Sequence, residues 1–126
     1  MKDWYDIVKE SFIFSLNVID FYKHLIQNEK EYVLSKQLLR SGTSIWANIK
    51  EAQFGVSKKD FLHKMYTALK EANETEYRLA LMKESNIGNS YQEFEELYGK
   101  SREILWTLVK IVKTTKSNLY KTSNKG

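Results

Sequence analysis

The sequence predicts an all-α protein, an antiparallel four-helix bundle with up-down-up-down topology. Proline is absent and only five glycines occur in 126 residues, so long uninterrupted helices are allowed. Along four stretches, apolar residues recur in alternating steps of four and three, which is the heptad pattern of packed helices. Short breaks between the stretches favour antiparallel neighbours. We therefore expect one bundle domain over residues 1–121 and a flexible tail at 122–126.

The first helix is predicted from about Asp3 to Gln27 because an apolar seam runs along it. The seam consists of Trp4, Val8, Ser11, Ser15, Val18, Tyr22 and Leu25. Two more sets recur every seven residues on its flanks, starting at Tyr5 and at Ile7. A helix in a monomeric bundle needs an apolar stripe only about 100° wide. The excess predicts either a very central helix or one that also contacts another subunit.

The second helix is predicted from about Tyr32 to Phe54, with Gly55 ending it. Its inward seam consists of Leu34, Leu38, Ser41, Ile45, Ile49 and Ala52. Gly42 and Ser44 leave little side-chain bulk beside that seam. Small side chains let a neighbouring backbone come close. We therefore expect tight helix packing around this stretch.

Leu39 and Trp46 lie on the second helix about 100° away from its seam, at the 100° per residue of an α-helix. An indole in this direction predicts an oligomer interface. The alternative is that Trp46 lies flat over the edge of its own bundle.

The third helix is predicted to open at Ser57, because Ser57 and Asp60 resemble a capping box. Its apolar seam consists of Phe61, Met65, Ala68, Ala72, Thr75, Leu79 and Met82. Glu76 falls within the apolar arc of this helix, so the pattern predicts a buried carboxylate that needs a partner. We expect that partner on helix one or two. The candidate groups are Tyr22, Asn48 and Arg40, and the predicted buried polar set is Arg40, Asn48 and Glu76.

The fourth helix is predicted to begin at a second capping box, formed by Ser90 and Glu93. Its charges are polarised, since seven basic residues and one acidic residue follow from Lys100 onward. A basic segment is a candidate phosphate-binding surface that reads backbone rather than base sequence. A solvated face that complements the helix dipole explains the same lysines. The candidate nucleic-acid-binding residues are Arg102, Lys110, Lys113, Lys116, Lys121 and Lys125.

Several classes of function have no support in the sequence. The absence of cysteine removes disulfides and thiolate metal sites, and it suits the cytoplasm. His24 and His63 are both predicted to point away from the core, so we expect no metal and no cofactor. No catalytic motif occurs, which predicts a protein that is not an enzyme. The chain has no apolar run of 18 residues and no signal peptide, so we expect no membrane partner.

Two strings carry a resemblance to a known family. They are QLLRSGTSIWANIKEAQ at residues 37–53 and SKKDFLHKMYTALKEANETEYRLALM at residues 57–82. Both are similar to the four-helix-bundle family encoded within intervening sequences of bacterial large-subunit ribosomal RNA genes. The sequence departs from the family pattern at Trp46, where a small residue is usual, and at Arg78, where an aromatic residue is common. The matching positions are Arg40 to Ile45, Ala47 to Ile49, Glu51, Ala68 to Ala72 and Glu74 to Glu76.

The resemblance implies a homo-oligomer, a pentamer in similar proteins, and no known enzymatic activity. A distantly similar protein is the accessory subunit of diversity-generating retroelements, where a basic pentamer partners a reverse transcriptase and nucleic acid. Two hypotheses follow by this analogy. One is an oligomeric module that binds RNA, DNA or a ribonucleoprotein without sequence specificity. The other is an oligomeric protein–protein interaction scaffold with no nucleic-acid ligand.

Overall fold

Four α-helices form the structure, a computed structural model that describes the backbone of residues 2–125 and the side chains of residues 4–121. They are α1 (Lys2–Asn28), α2 (Leu34–Ala52), α3 (Lys58–Glu84) and α4 (Phe94–Lys125). Each helix packs against the next one along the chain, and α4 packs against α1. Within the described residues, the backbones of the diagonal pairs α1/α3 and α2/α4 do not come close to each other. This arrangement is the predicted antiparallel four-helix bundle.

The core is a single apolar cluster to which all four helices contribute. The predicted seams of α2 and α3 are confirmed, since nearly all of their members are buried. In α4 the heptad spacing predicts a seam that includes Ser101, Leu105 and Leu108. Ile104 lies beside that seam and is also fully buried. The largest fully buried side chains are Ile7, Phe14, Phe21, Leu25, Leu38, Ile45, Ile49, Met65, Leu79, Met82, Ile104 and Leu108.

The two apolar flanks of α1 have different fates. Ile7, Phe14 and Phe21, on one flank, are at most 1% exposed and belong to the core. Tyr5 and Phe12, on the other flank, are 74% and 45% exposed. The bundle thus buries one apolar flank of α1 and leaves Tyr5 and Phe12 of the other flank exposed.

The small residues of α2 allow the close packing predicted for them. Gly42 is buried against α1, and a Cβ atom added at Gly42 would lie 2.9 Å from Cγ2 of Val18. On the α3 side, the Oγ atom of Ser41 lies 3.0 Å from Oγ1 of Thr75. Val18 of α1 therefore approaches the α2 backbone directly, and α3 contacts α2 through small hydroxyl side chains.

The helix starts agree with the sequence at α3 and differ at α2 and α4. Ser57 caps α3 as predicted, because its Oγ atom accepts a hydrogen bond from Asp60 N. At α2, the Glu31 carboxylate accepts from three backbone N–H groups, and the helix begins at Leu34 rather than Tyr32. The capping box predicted at Ser90 is wrong, since its hydroxyl bonds Glu29 and α4 begins at Phe94.

The prediction that Glu76 is buried and bonded to helix one or two is wrong. Glu76 is half-buried, and it accepts a hydrogen bond from the hydroxyl of Tyr98 on α4 at 3.3 Å. The buried carboxylate of α3 is Glu71, which is 8% exposed. The reason is rotation of α3: its interior is turned towards α2, so Glu71 is covered and Glu76 lies at the α4 flank.

The other two members of the predicted buried polar set are also more exposed than expected. The Arg40 side chain is 57% exposed because it extends along the surface to reach α3. Asn48 is half-buried, and its Nδ2 atom donates to the carbonyl of Ser44 within α2. At the C-terminus, α4 continues to Lys125, past the predicted domain boundary at residue 121. Gly126 lies outside the described residues, and the flexibility expected of 122–126 stays a prediction.

Candidate nucleic-acid interface

The solvent face of α4 carries most of the predicted basic residues. Their side chains are exposed, and none forms an ion pair with a described residue. The described members are Arg102, Lys110, Lys113, Lys116 and Lys121. The side chain of the last candidate, Lys125, falls outside the described residues.

The carboxylate of Glu103 is already neutralised by a neighbour on α4. Lys100 Nζ donates to Glu103 Oε2 at 3.2 Å, and this hydrogen bond raises the pKa of Lys100. Between residues 102 and 121, Glu103 is the one acidic residue in the sequence. The guanidinium of Arg102 lies 5.7 Å from the ring centroid of Tyr98, which leaves its N–H groups open to a ligand. The field on this face of α4 is therefore positive.

Two separate pockets, of about 520 and 280 Å³, lie along the junction of α3 and α4, next to this basic face. They share no lining residue, and together they make an interrupted furrow. We call this feature the α3/α4 furrow. Its lining residues are Lys59, Leu62, Tyr66, Leu69, Lys70 and Asn73 of α3, with Leu105, Trp106, Val109, Lys116, Leu119 and Tyr120 of α4.

Sequence reasoning missed the contribution of α3 to this surface. Lys59, Tyr66 and Lys70 recur at steps of seven and four, so they share one face of α3. That spacing was the signal in the sequence that could have indicated the contribution of α3. In the structure, Lys59 lines one pocket with Lys116, and Tyr66 and Lys70 line the other with Trp106.

The opposite side of α3 carries charges that are paired within the protein. Arg40 donates to Glu71 at 3.2 Å and to Glu74 at 3.0 Å, and Arg78 donates to Glu74 at 3.3 Å. Burial raises the pKa of Glu74, but the hydrogen bonds from Arg40 and Arg78 outweigh it and hold the pKa below its ordinary value. The charge of Glu71 likewise raises the pKa of Arg40. These groups are bound to one another and form a structural network.

A second polar network joins the α1–α2 loop to the α3–α4 loop. Glu29 accepts from Gly88 N at 2.9 Å and from Ser90 Oγ at 2.7 Å, and His24 Nε2 lies 2.8 Å from the same Ser90 oxygen. His24 was predicted to point outward, but the α3–α4 loop covers it and Tyr91 packs on its ring. Burial raises the pKa of Glu29, but the bonds from Gly88, Ser90 and His24 outweigh it and lower the pKa overall.

The serine, histidine and glutamate of this network do not form a hydrolytic triad. The Ser90 proton goes directly to Glu29, so His24 Nε2 donates to Ser90 instead of removing its proton. Glu29 also approaches Nε2 of His24, at 3.5 Å, whereas a triad carboxylate holds Nδ1. The arrangement fastens the two loops together.

Possible metal sites and membrane-spanning helices can be sought only in the described part of the chain. There, His63 is exposed as predicted, and no three acidic or histidine side chains cluster in a way that could hold a metal ion. No described helix has the length and apolarity needed to cross a bilayer.

The predicted oligomer interface lies on the α1/α2 side of the bundle. Leu39 is half-buried against the core, and the Trp46 ring packs on Phe12 with centroids 5.3 Å apart. Trp46 therefore contacts α1 of its own bundle, and its place in an oligomer interface stays a prediction. Beside Phe12, Ile13 and Leu16 are 44% and 51% exposed, so an apolar α1 face continues to solvent.

A family model and a solved structure point to the same protein family. Residues 4–110 match the model of a family described as 23S rRNA-intervening sequence protein. The chain is also similar to a protein of unknown function from the S23 ribosomal protein family of Bacteroides thetaiotaomicron. That crystal structure has 43% sequence identity and a TM-score of 0.82, over 90% of this chain and 99% of that chain. Among curated proteins, none matches the sequence.

Proposed function

This chain belongs to the 23S rRNA-intervening sequence protein family, and we propose that it is a non-enzymatic, self-associating helical module that binds nucleic acid. The basic face of α4 makes the contact, and the module works in the cytoplasm. The ligand is RNA, DNA or a ribonucleoprotein, recognised through its phosphate backbone.

The observation that carries this proposal is the unpaired charge of α4. Lys110, Lys113 and Lys116 are exposed and have no carboxylate partner among the described residues. Cations of this kind gain affinity for a polyanion by releasing its condensed counterions. Lysines elsewhere in the chain are also unpaired, but those of α4 are grouped on a segment in which Glu103 is the one acidic residue between residues 102 and 121.

Recognition of the backbone follows from the residue types present. Lysine ammonium groups are compact point charges that bind phosphates without reading a base edge. Arg102 is the one arginine among the candidates, so the planar bidentate contacts typical of guanine recognition are scarce. We therefore expect similar affinity for unrelated sequences.

Self-association strengthens the proposed binding through repetition. One subunit offers a few cations and weak affinity, but several copies present the same cluster repeatedly to one polyanion and gain avidity. The exposed apolar α1 face, including Phe12 and Leu16, supports an interface with another copy, to which Leu39 and Trp46 contribute at its edge. Five copies are the number suggested by resemblance to similar proteins.

A protein-only scaffold is the second candidate, and the same apolar α1 face favours it. Surplus apolar surface indicates a protein partner whether or not nucleic acid is bound. The two candidates differ in what the α4 lysines do, which a binding experiment decides.

The binding test uses two unrelated RNA strands and two unrelated DNA strands, followed by fluorescence anisotropy over a series of salt concentrations. The proposal predicts similar affinities for all four and a linear fall of log affinity with log salt. An absence of binding at low salt would leave the protein-only scaffold as the better account.

The self-association test is sedimentation at micromolar concentration. The parent should sediment as an oligomer, and Trp46→Glu should shift it towards monomer while its circular dichroism stays helical. Because Trp46 also packs on Phe12, Leu16→Glu is the second variant, since Leu16 is half-exposed and its replacement spares the core. A monomeric parent would contradict the proposed self-association.

A further inference from the structure

We propose that the α3/α4 furrow binds a single-stranded segment of nucleic acid, with unpaired bases stacked on its aromatic rings and phosphates held by its lysines. This inference rests on the proposed nucleic-acid binding and narrows its ligand from any polyanion to strands with unpaired bases.

The aromatic rings of the furrow are accessible to solvent, and Trp106 is the most exposed of the three tryptophans. Trp106 and Tyr120 are both 62% exposed, and Tyr66 is 42% exposed. By contrast, Trp4 packs on Phe61 and Trp46 packs on Phe12, and both are half-buried. An open aromatic face can stack any base, because every base has a π-face. In a duplex those faces are already covered by neighbouring base pairs, so stacking selects single strands.

The charges of the furrow determine which partner fits it. Lys59, Lys70 and Lys116 line it, and its lining includes no carboxylate. An apolar ridge of another protein would bury these lysines without an opposite charge, which is costly. A single strand supplies both groups that the furrow lacks, namely flat apolar bases for the rings and phosphates for the lysines.

The length of the furrow suits a strand that runs along α4. Trp106 and Tyr120 are 14 residues apart, which corresponds to about 21 Å of helix rise. Lys110, Lys113 and Lys116 lie between them in the sequence and on exposed parts of the same helix. The rings thus offer stacking at both ends, with cations between them for the connecting phosphates.

The test compares a labelled single-stranded oligothymidine, an oligouridine of equal length and a matched DNA duplex, each with the full-length protein. The key variant is Trp106→Leu, which keeps an apolar side chain in the furrow but removes the ring. The matched control is Tyr32→Leu, because Tyr32 is 53% exposed and lies outside the furrow. Anisotropy measures the affinity, tryptophan emission reports stacking, and sedimentation reports the oligomeric state.

The inference predicts tighter binding of both single strands than of the duplex and quenching of tryptophan emission by the single strands. Trp106→Leu should weaken single-strand binding by about 5- to 100-fold and abolish most of the quenching, whereas Tyr32→Leu should change neither.

Three results would overturn the inference, and they differ in what they leave standing. Unchanged single-strand affinity in Trp106→Leu would reject the furrow as a stacking site and leave backbone binding by α4 intact. Dissociation of the oligomer by Trp106→Leu would identify the furrow as a protein interface. No binding of any strand by the parent at low salt would reject both this inference and the proposed function.

Discussion

The two sides of α3 treat positive charge in opposite ways. On the side facing α2, Arg40 and Arg78 each donate to a carboxylate of α3. On the side facing α4, Lys59 and Lys70 line a furrow that has no carboxylate in its lining. The lesson is that a cation count alone does not locate a binding surface. What distinguishes the surfaces is whether the protein already supplies a partner for each charge.

The largest effect on stability is expected from Arg40→Met. This change leaves Glu71 buried without its cation, and Glu71 has no other hydrogen-bond partner for its carboxylate among the described residues. An uncompensated buried carboxylate is costly, and we expect the free energy of unfolding to fall by about 2–3 kcal/mol. Chemical denaturation measures the loss.

The matched control for Arg40→Met is Lys110→Met, which removes a cation from the α4 side. Lys110 is exposed and unpaired among the described residues, so its loss should alter the free energy of unfolding by less than about 0.5 kcal/mol. Equal losses in the two variants would break the comparison between the paired and unpaired sides. Adding Glu71→Gln to Arg40→Met should recover part of the stability, because the buried charge is then gone.

Smaller changes in the free energy of unfolding are expected when two glycines are replaced by alanine, a loss on α2 and a gain on α4. Gly42→Ala places a Cβ atom 2.9 Å from the buried Val18 side chain, so we expect a loss of about 1 kcal/mol after the gain in helix propensity. Gly99→Ala on α4 meets no atom within 4 Å and should gain about 0.5–1 kcal/mol. Thermal unfolding of both variants checks the signs. A gain at both positions would mean that α2 is packed no more tightly than the α4 surface.

The smallest expected effect concerns pH and Glu29. Its pKa is lowered in the folded protein, so the ionised carboxylate contributes stability above about pH 4.5, and this contribution is lost as the pH falls through the folded pKa. Glu29→Gln removes that dependence while its amide oxygen can still accept from Gly88. The melting temperature of the parent should therefore drop more steeply than that of Glu29→Gln between neutral pH and about pH 3. Parallel pH profiles would show that Glu29 is not part of a network that favours its charge.

The bundle itself could be predicted from the sequence because heptad spacing determines which residues of each helix face inward. Leu38, Ile45 and Ile49 of α2 are fully buried as expected, and the predicted cap at Ser57 is present. Gly42 also meets a close neighbour, as its size indicated. Such features depend on local spacing and side-chain volume, which a single sequence contains.

The site was harder to predict because it depends on how each helix is rotated about its axis. The sequence placed a buried carboxylate on α3 but assigned it to Glu76 instead of Glu71, since a wide apolar arc does not specify which flank meets α2. For the same reason the basic residues were assigned to α4 alone. The pairing of Lys70 and Tyr66 with Trp106 arises only when α3 and α4 are packed together.

The most direct test of the central claim compares two triple variants that remove the same charge from different sides. One variant replaces Lys110, Lys113 and Lys116 of α4 with Gln. The other, called the α2-side variant, replaces three lysines with Gln: Lys36 and Lys50 of α2, and Lys64 of α3, which pairs with Glu51. Affinity for one single-stranded RNA is measured over a series of salt concentrations. The α4 variant should bind more weakly, with a log–log salt slope shallower by about 2, and the α2-side variant should keep the parent slope. Equal slopes in the two variants would contradict the account, because binding would then reflect net charge and not the position of the cations on α4.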